Sequence, residues 1–287
     1  MAFKRMKFKI KPQAVILATI LIGAKLGLAT PVLIDDFTTT QIDATLSSNS
    51  NAHSAIGPGT AGILGGYRVL DDFCVAGCDA LTHSNFLARG AGHNDIVLNN
   101  DDFNSASGLV TYSGSVNGPK TTSPGIWDGS IMTSTPTTYG LGGVDLSSAG
   151  TNTQIRVLAH TDLTVQVIAT FYDGAGTGFA RAMWTLAGTV GQTNTELTAH
   201  FFDSLGTTNF IYSGTANSAM WTTVGRITAI TFQIDGSASP SSDTNISYFA
   251  GDNGPGGGAP EPASFGMLAG GMGGLIWFVR KKTERKN

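Results

Sequence analysis

The chain has 287 residues, of which 41% are apolar and 38 are glycine, and its formal net charge is −3. That small value hides an uneven distribution, because residues 30–258 carry six basic and 18 acidic side chains, a net charge of −12. An acidic body of this kind excludes a function in binding nucleic acid or anionic lipid, whose phosphates require lysine and arginine for neutralisation.

The first 29 residues have the three parts of a secretory signal peptide. A basic segment precedes an apolar core at 14–24, and the small residues Gly27 and Ala29 mark a cleavage site. We therefore expect export by the secretion machinery and processing by signal peptidase, with an uncleaved N-terminal anchor as the alternative.

Short strands are predicted between residues 32 and 249, with Gly, Ser, Thr and Asn between them and no convincing helical period. The segment 163–172 is the clearest, because Leu, Val, Ala and Phe alternate there with Thr and Gln. The stretch 38–61 is polar and predicts turns. The pattern indicates an antiparallel, jelly-roll-like β-sandwich over residues 30–253. The predicted strands are 32–37, 62–70, 95–99, 109–113, 125–129, 155–158, 163–172, 179–186, 195–202, 227–234 and 246–249.

Cys74 and Cys78 are the two cysteines of the chain. In an exported protein such a pair favours a disulfide over metal or redox chemistry, and Gly77 permits the turn that the bond requires. A zinc site would need more ligands than the neighbouring residues offer. So small a loop contributes only about 2 kcal/mol, so the bond would fix a loop without holding the domain together.

No catalytic constellation is found, and we expect no enzyme activity. The five histidines match no metalloprotease spacing, although His83 and His93 leave a metal site open. No Gly-x-Ser-x-Gly motif is present. Neighbouring carboxylates such as Asp35 and Asp36 point to opposite faces of a strand, so they cannot together form the acid and nucleophile of a glycosidase.

Two ligand hypotheses remain open. Carboxylate and loop carbonyl oxygens suit calcium, and Asp35 and Asp36 are the first candidates for a structural ion, with no other cofactor expected. Trp127, beside Asp128 in a glycine-flanked segment, is the first candidate for stacking on a sugar ring. Trp184 is expected instead to fill the core.

The C-terminal residues differ in composition from the predicted strands before them. A glycine-rich linker at 254–259 leads to Pro260, Glu261 and Pro262, where the prolines impose an extended break. The apolar stretch 263–279 follows, and its 17 residues span about 25 Å as a helix, a little less than a hydrocarbon core. A basic tail at 280–287 should stay on the cytoplasmic side. Its first basic residues are Arg280, Lys281 and Lys282.

This order of a Pro-Glu-Pro motif, a membrane helix and an Arg-rich tail resembles the PEP-CTERM sorting signal of Gram-negative bacteria. The resemblance implies recognition by an exosortase, a membrane-embedded cysteine protease or transpeptidase. In the body, Ile34-Asp35-Asp36-Phe37, Gly65-Gly66-Tyr67-Arg68 and Trp127-Asp128-Gly129 resemble the ectodomain of PEP-CTERM proteins without assigned activity. The layout is also similar to jelly-roll carbohydrate-binding modules.

We therefore expect export across the inner membrane, transient anchoring there through the C-terminal helix, and delivery to the cell surface or to an extracellular exopolysaccharide matrix. The expected role is non-enzymatic, structural or adhesive. The alternative is a carbohydrate-binding or carbohydrate-active protein, including a hydrolase, on the same fold.

The C-terminal segment gives a direct prediction. We expect an exosortase to cut at or near Pro260-Glu261-Pro262, since this extended break lies where the chain leaves the membrane on its outer side. Mass spectrometry of the C-terminus, in the native host and in a host lacking the enzyme, measures this. A chain ending at Asn287 in both hosts would mean a permanent single-pass anchor.

Overall fold

The computed structural model describes residues 30–46, 51–78, 83–90, 92–101, 103–114, 140–174, 178–189, 193–202, 206, 208–221 and 227–254. These parts of the chain are all-β, with two short 3-10 turns at Leu64–Gly66 and Ser218–Trp221. The strands are β1 (Val32–Asp35), β2 (Gln41–Leu46), β3 (Asn51–Ile56), β4 (Arg68–Ala76), β5 (Ser84–Arg89), β6 (Asp95–Asn100), β7 (Ser105–Tyr112), β8 (Gln154–Thr161), β9 (Val165–Asp173), β10 (Gly178–Leu186), β11 (Thr195–His200), β12 (Ile211–Gly214), β13 (Ile227–Asp235) and β14 (Asp243–Asp252).

The strands form two antiparallel sheets. The first sheet has the order β11-β8-β14-β6-β5-β2, and β1 also pairs with β14. The second sheet has the order β12-β10-β9-β13-β7-β4-β3. One buried hydrophobic cluster draws its side chains from both sheets. The predicted two-sheet antiparallel architecture is therefore confirmed.

Strand β9 shows how the sequence produces this core. Val165, Val167, Ala169 and Phe171 alternate along the strand and belong to the buried cluster, as side chains on one face of a strand must. The Phe171 ring meets Trp221 edge-on, with centroids 5.3 Å apart. Such aromatic pairs stabilise a core beyond the burial of their area.

The two sheets approach closely at Gly108 of β7. A Cβ atom at this position would lie 2.5 Å from ring atoms of Phe86, which comes from β5 of the other sheet. No larger residue fits there without displacing the ring. The glycine therefore sets how closely these two strands pack across the core.

Several predicted boundaries were wrong. The stretch 38–61, predicted as turns, contains β2 and β3, and β5 and β12 were also missed. The predicted strand 62–70 is a bridge and a 3-10 turn followed by β4, which continues through Asp71 and Asp72 to Ala76. Polar residues form strands here because neighbouring strands satisfy their backbone groups. The predicted strand 125–129 lies outside the described residues.

An ion pair is completely buried between the sheets. Arg68 Nη1 of β4 lies 2.7 Å from Asp35 Oδ2 of β1, and both side chains are fully buried. The guanidinium also donates to Gln41 Oε1 at 2.8 Å and to the Thr39 carbonyl oxygen at 2.6 Å. Tyr112 of β7 donates its hydroxyl proton to the same Asp35 oxygen at 3.0 Å. Four strands from two sheets thus meet in one hydrogen-bonded network.

The predicted disulfide between Cys74 and Cys78 is confirmed. Both residues are buried and pack against Ala52 of β3. Gly77 between them has a φ of 82°, a conformation that glycine adopts without strain. The bond ties Cys74, which pairs with Ala106 of β7, to the segment that follows the end of β4.

No helix within the described ranges is long and apolar enough to cross a membrane. The predicted signal peptide at 1–29 and the predicted transmembrane segment at 263–279 both lie outside those ranges.

The buried ion pair yields a stability prediction. We expect Arg68→Ala to lower the free energy of unfolding by about 3–5 kcal/mol, because it leaves the Asp35 carboxylate buried without its charged partner. Urea denaturation measures this loss. The control is Arg181→Ala, which removes a half-buried arginine from the outer face of β10 and should cost less than about 1 kcal/mol.

The double variant Asp35→Leu/Arg68→Met completes the experiment. An apolar pair removes both charges together, so it should recover much of the stability that Arg68→Ala loses. Equal unfolding free energies for Arg68→Ala and Arg181→Ala would contradict the role of the ion pair.

Candidate functional site

The outer face of the first sheet carries polar side chains from several neighbouring strands. On β8, Ile155, Val157 and Ala159 are fully buried in the core, so the intervening side chains point outward. Arg156 and His160 therefore lie on this face. Neighbouring strands add further polar residues because the antiparallel register keeps outward positions side by side.

A charge-assisted network crosses β5, β6 and β14 at this face. Arg89 Nε and Nη2 donate to the two carboxylate oxygens of Asp95 at 2.8 and 2.6 Å, and Asn245 Nδ2 donates to the same carboxylate. Burial by itself would raise the pKa of Asp95, but the hydrogen bonds from Arg89 and Asn245 and the charge of Arg89 hold it below its usual range. The bidentate geometry fixes the guanidinium plane.

A groove of about 330 Å³ lies beside this network, and we call it the polar groove. His160 Nδ1, on one wall, is 3.2 Å from Asn194 Oδ1, in a contact whose donor depends on the histidine tautomer. The groove lies toward the end of the sheet where β14 begins and β8 ends. It is lined by Arg89, His93, Val97, Asn99, His160, Asp243, Thr244 and Asn245.

Among the described residues that line the polar groove, Asp243 is the one with a carboxyl group. Its backbone N–H donates to Asp162 Oδ1 at 2.7 Å. Partial burial raises the pKa of Asp243 above its usual range, and the nearby carboxylates of Asp162 and Asp101 raise it further. The lining of the groove therefore includes both the carboxyl group of Asp243 and the positive charge of Arg89.

A second ion-pair network lies at the opposite end of the same face. Arg156 Nη1 is 3.2 Å from Asp252 Oδ2, and Arg156 Nε is 3.3 Å from Glu196 Oε2. The guanidinium lies over the Tyr248 ring, 5.1 Å from its centroid. The Tyr248 hydroxyl donates to Asp252 at 3.1 Å. Burial, together with the Asp252 carboxylate, raises the pKa of Tyr248 well above its usual range, so the hydroxyl stays protonated.

The structure places Asp35 and Asp36 in different surroundings. Asp35 is buried against Arg68, whereas Asp36 Oδ1 accepts hydrogen bonds from the N–H and the hydroxyl of Thr38 at 3.0 and 2.7 Å. Among the described residues, no three His, Cys, Asp or Glu side chains are grouped so that they could hold a metal ion. The positive charge beside Asp35 comes from Arg68, and calcium at these two residues stays a prediction.

Other predicted site residues have mixed outcomes. His83 pairs with Asp101 at 3.2 Å, while His93 belongs to the polar groove. Trp184 is buried as expected, and its Nε1 donates to the Thr198 carbonyl oxygen at 3.1 Å. Outside the described residues lie the predicted glycan-contact residues and the sorting signal, namely Trp127, Asp128, Pro260, Glu261, Pro262, Arg280, Lys281 and Lys282.

Sequence reasoning missed the polar groove. Its lining residues come from four strands and from the turn that holds His93, and Arg89 and Asn245 among them are distant in the sequence. A signal did exist in β8, where Arg156 and His160 alternate with apolar residues. That pattern indicates an outward polar face, but it does not show which strands lie beside it.

Comparisons with known proteins add little. No protein-family model matches the chain, and no match to a curated protein was found. Among solved structures, PfGH50B has a TM-score of 0.36 and 11% identity over 60% of this chain, which spans 22% of the length of PfGH50B.

Two further similar structures are of the family 11 carbohydrate-binding module of Clostridium thermocellum. The module of the cellulosomal cellulase Lic26A-Cel5E has a TM-score of 0.31 and 10% identity, covering 78% of this chain and 95% of the module. The module in complex with a β-1,3-1,4-mixed-linked tetrasaccharide has a TM-score of 0.32 and 11% identity, covering 79% and 97%. With TM-scores this low, nothing about ligand or activity follows from these likenesses.

The Asp95 network predicts a pH-dependent contribution to stability. We expect Asp95→Asn to lower the free energy of unfolding by about 1 kcal/mol at pH 7, a modest loss because Arg89 is partly exposed to solvent. Since the folded-state pKa of Asp95 is lowered, its contribution is present above the unfolded-state pKa of about 4 and is lost as the pH falls through the folded-state value.

Urea denaturation of both proteins at pH 7 and at about pH 3 tests this expectation. The difference between them should shrink at the lower pH. A difference that stays constant would show that the Asp95 charge does not contribute.

Proposed function

We propose that this protein is an exported, non-enzymatic β-sandwich protein with a structural or adhesive role, and that it binds polysaccharide through the outer face of its first sheet. The observation that carries this proposal is the polar groove, where hydrogen-bonding side chains are held in fixed positions on a rigid sheet. Its volume of about 330 Å³ lies within the usual range of small-molecule sites.

The chemistry of the groove suits sugar hydroxyls, each of which can donate and accept hydrogen bonds. Asn99 offers an amide with both kinds of group, and His160 offers a ring nitrogen. Arg89 is already oriented by Asp95, so little conformational entropy is lost when a ligand binds beside it. A preorganised site of this kind favours specific recognition of a hydroxyl-rich ligand.

The proposed location rests on the two ends of the sequence. The predicted signal peptide supports export, and the C-terminal motif, apolar stretch and basic tail support sorting by an exosortase in a Gram-negative bacterium. Under this proposal the sandwich is a jelly-roll-like ectodomain delivered to the cell surface or the exopolysaccharide matrix. It is held at the inner membrane by its C-terminal helix until processing.

A hydrolase on the same face is the alternative, and one observation favours it. Asp243 and Asp95 have pKa values shifted in opposite directions, an arrangement that can separate an acid from a base. However, both oxygens of Asp95 already accept hydrogen bonds from Arg89. That leaves Asp243 without a second available carboxylate among the described groove residues, and hydrolysis of glycosides normally uses two.

Affinity electrophoresis against a panel of soluble polysaccharides tests the proposed binding. We expect full-length protein in mild detergent to be retarded by at least one polysaccharide, and the double variant Asn99→Ala/His160→Ala to bind at least about tenfold more weakly. Both substitutions remove groove side chains without touching the Arg89–Asp95 pair.

The matched control is Gln166→Ala/Thr185→Ala. These two exposed residues are cross-strand neighbours on the outer face of the second sheet, so their loss should leave binding unchanged. Absence of binding by the unaltered protein to every polysaccharide would refute the proposal. Release of reducing ends that Asp243→Asn abolishes would establish the hydrolase instead.

A further inference from the structure

A second depression of about 230 Å³ lies beyond the end of β11, and we call it the aromatic pocket. It is lined by His200, Phe201, Phe202, Asn209, Phe210, Tyr212 and Ser218. It therefore combines aromatic surfaces with polar side chains. It is separate from the polar groove, because the two share no lining residue.

Strand periodicity explains why Phe202 is exposed. Along β11, Leu197 and Ala199 face the core, and Phe201 directly after the strand is also buried. Phe202 takes the opposite direction and is 49% exposed. The aromatic pocket therefore lies at the edge of the sandwich, between the residues that follow β11 of the first sheet and those at β12 of the second sheet.

The floor of the pocket is rigid. Phe201 stacks on Trp221 with centroids 4.6 Å apart, and Phe210 packs on the same indole at 4.6 Å. Trp221 Nε1 donates to the Tyr212 hydroxyl oxygen at 2.8 Å. The tyrosine can still donate its own proton to a ligand. A preformed aromatic surface loses little entropy on binding.

The lining determines which ring fits. A sugar ring has an apolar face of C–H groups, suited to Phe202, and hydroxyls around its edge, suited to Asn209, Ser218 and the Tyr212 hydroxyl. The described lining contains His200 but no Lys, Arg, Asp or Glu. A uronic acid would bring a carboxylate that no permanent positive charge in this lining neutralises, which is costly in a partly desolvated site.

We propose that the aromatic pocket is a ring-stacking subsite for a neutral sugar residue. This inference rests on the proposed polysaccharide binding and adds the substrate class. His200 in the pocket pairs across the sheet with Gln154 at one end of β8, and His160 in the polar groove lies six residues further along that strand. Six residues of β-strand span ~20 Å. A polysaccharide chain of several sugar units is long enough to reach from one site to the other.

Phe202→Ala tests the inference. We expect the variant to bind a neutral polysaccharide at least about tenfold more weakly than the unaltered full-length protein, as loss of a central aromatic contact does in other interfaces. Phe202→Trp should retain binding because it keeps a stacking face. Thermal unfolding of both variants should stay close to that of the unaltered protein, since Phe202 is half exposed.

The matched control is Phe179→Ala. Phe179 packs against Tyr172 on the outer face of β10 in the second sheet, so its removal deletes the same side chain outside the lining of both proposed sites. Its affinity should stay within about twofold of the original. Polygalacturonate serves as the acidic probe beside neutral glucans and galactans.

Each result decides the proposal. Equal affinities for Phe202→Ala and the unaltered protein would overturn the subsite while leaving polysaccharide binding intact. Preference for polygalacturonate, or a loss in Phe202→Ala of binding to phospholipid vesicles without loss of polysaccharide binding, would also overturn it. If the unaltered protein binds no polysaccharide, both this inference and the proposed function fail.

Discussion

The buried ion pair of Arg68 and Asp35 is the interaction on which the joining of the two sheets depends. Arg68 brings a charge into the core, where desolvation is expensive, and it is tolerated only because three of its N–H groups find acceptors. Those acceptors require the chain after β1 to fold back so that Thr39 and Gln41 reach the guanidinium. Burial raises the pKa of Asp35, and the charge and hydrogen bond of Arg68 oppose that rise. A shifted register in β1 or β4 would leave charges unpaired, so this network selects one arrangement of the sandwich.

Apolar alternation predicted the strands that build the core, and it failed where strands are polar. The segment 163–172 was predicted and is observed as β9, displaced by at most two residues at its start. By contrast, β2 and β3 contain few large apolar residues and were assigned to turns. They are strands because the neighbouring β5 and β4 offer them backbone partners. Such tertiary pairing overrides local propensity, and a single sequence does not show it.

The candidate site was less predictable than the fold, for the same physical reason. Sequence reasoning named Trp127 as the first candidate for a sugar contact, and this residue lies outside the described part of the chain, whereas Trp184 fills the core as predicted. The exposed aromatic at the pocket is Phe202, whose outward direction follows from the alternation of β11. The contact between Arg89 and Asp95 joins neighbouring strands and is local, but Asn245 reaches Asp95 only through the sheet order. Composition indicates that polar groups are exposed, and topology decides which of them meet.

The course of β14 relates the two sites to the proposed sorting signal. Val32 of β1 pairs with Gly251 near the end of β14, so both ends of the described chain leave the sandwich at the same end of the first sheet. Asp243, at the polar groove, begins the ten-residue strand, and Asp252 ends it, a separation of about 30 Å. The aromatic pocket therefore lies at the end of this face from which the chain leads on toward the proposed sorting signal, and the polar groove lies at the opposite end.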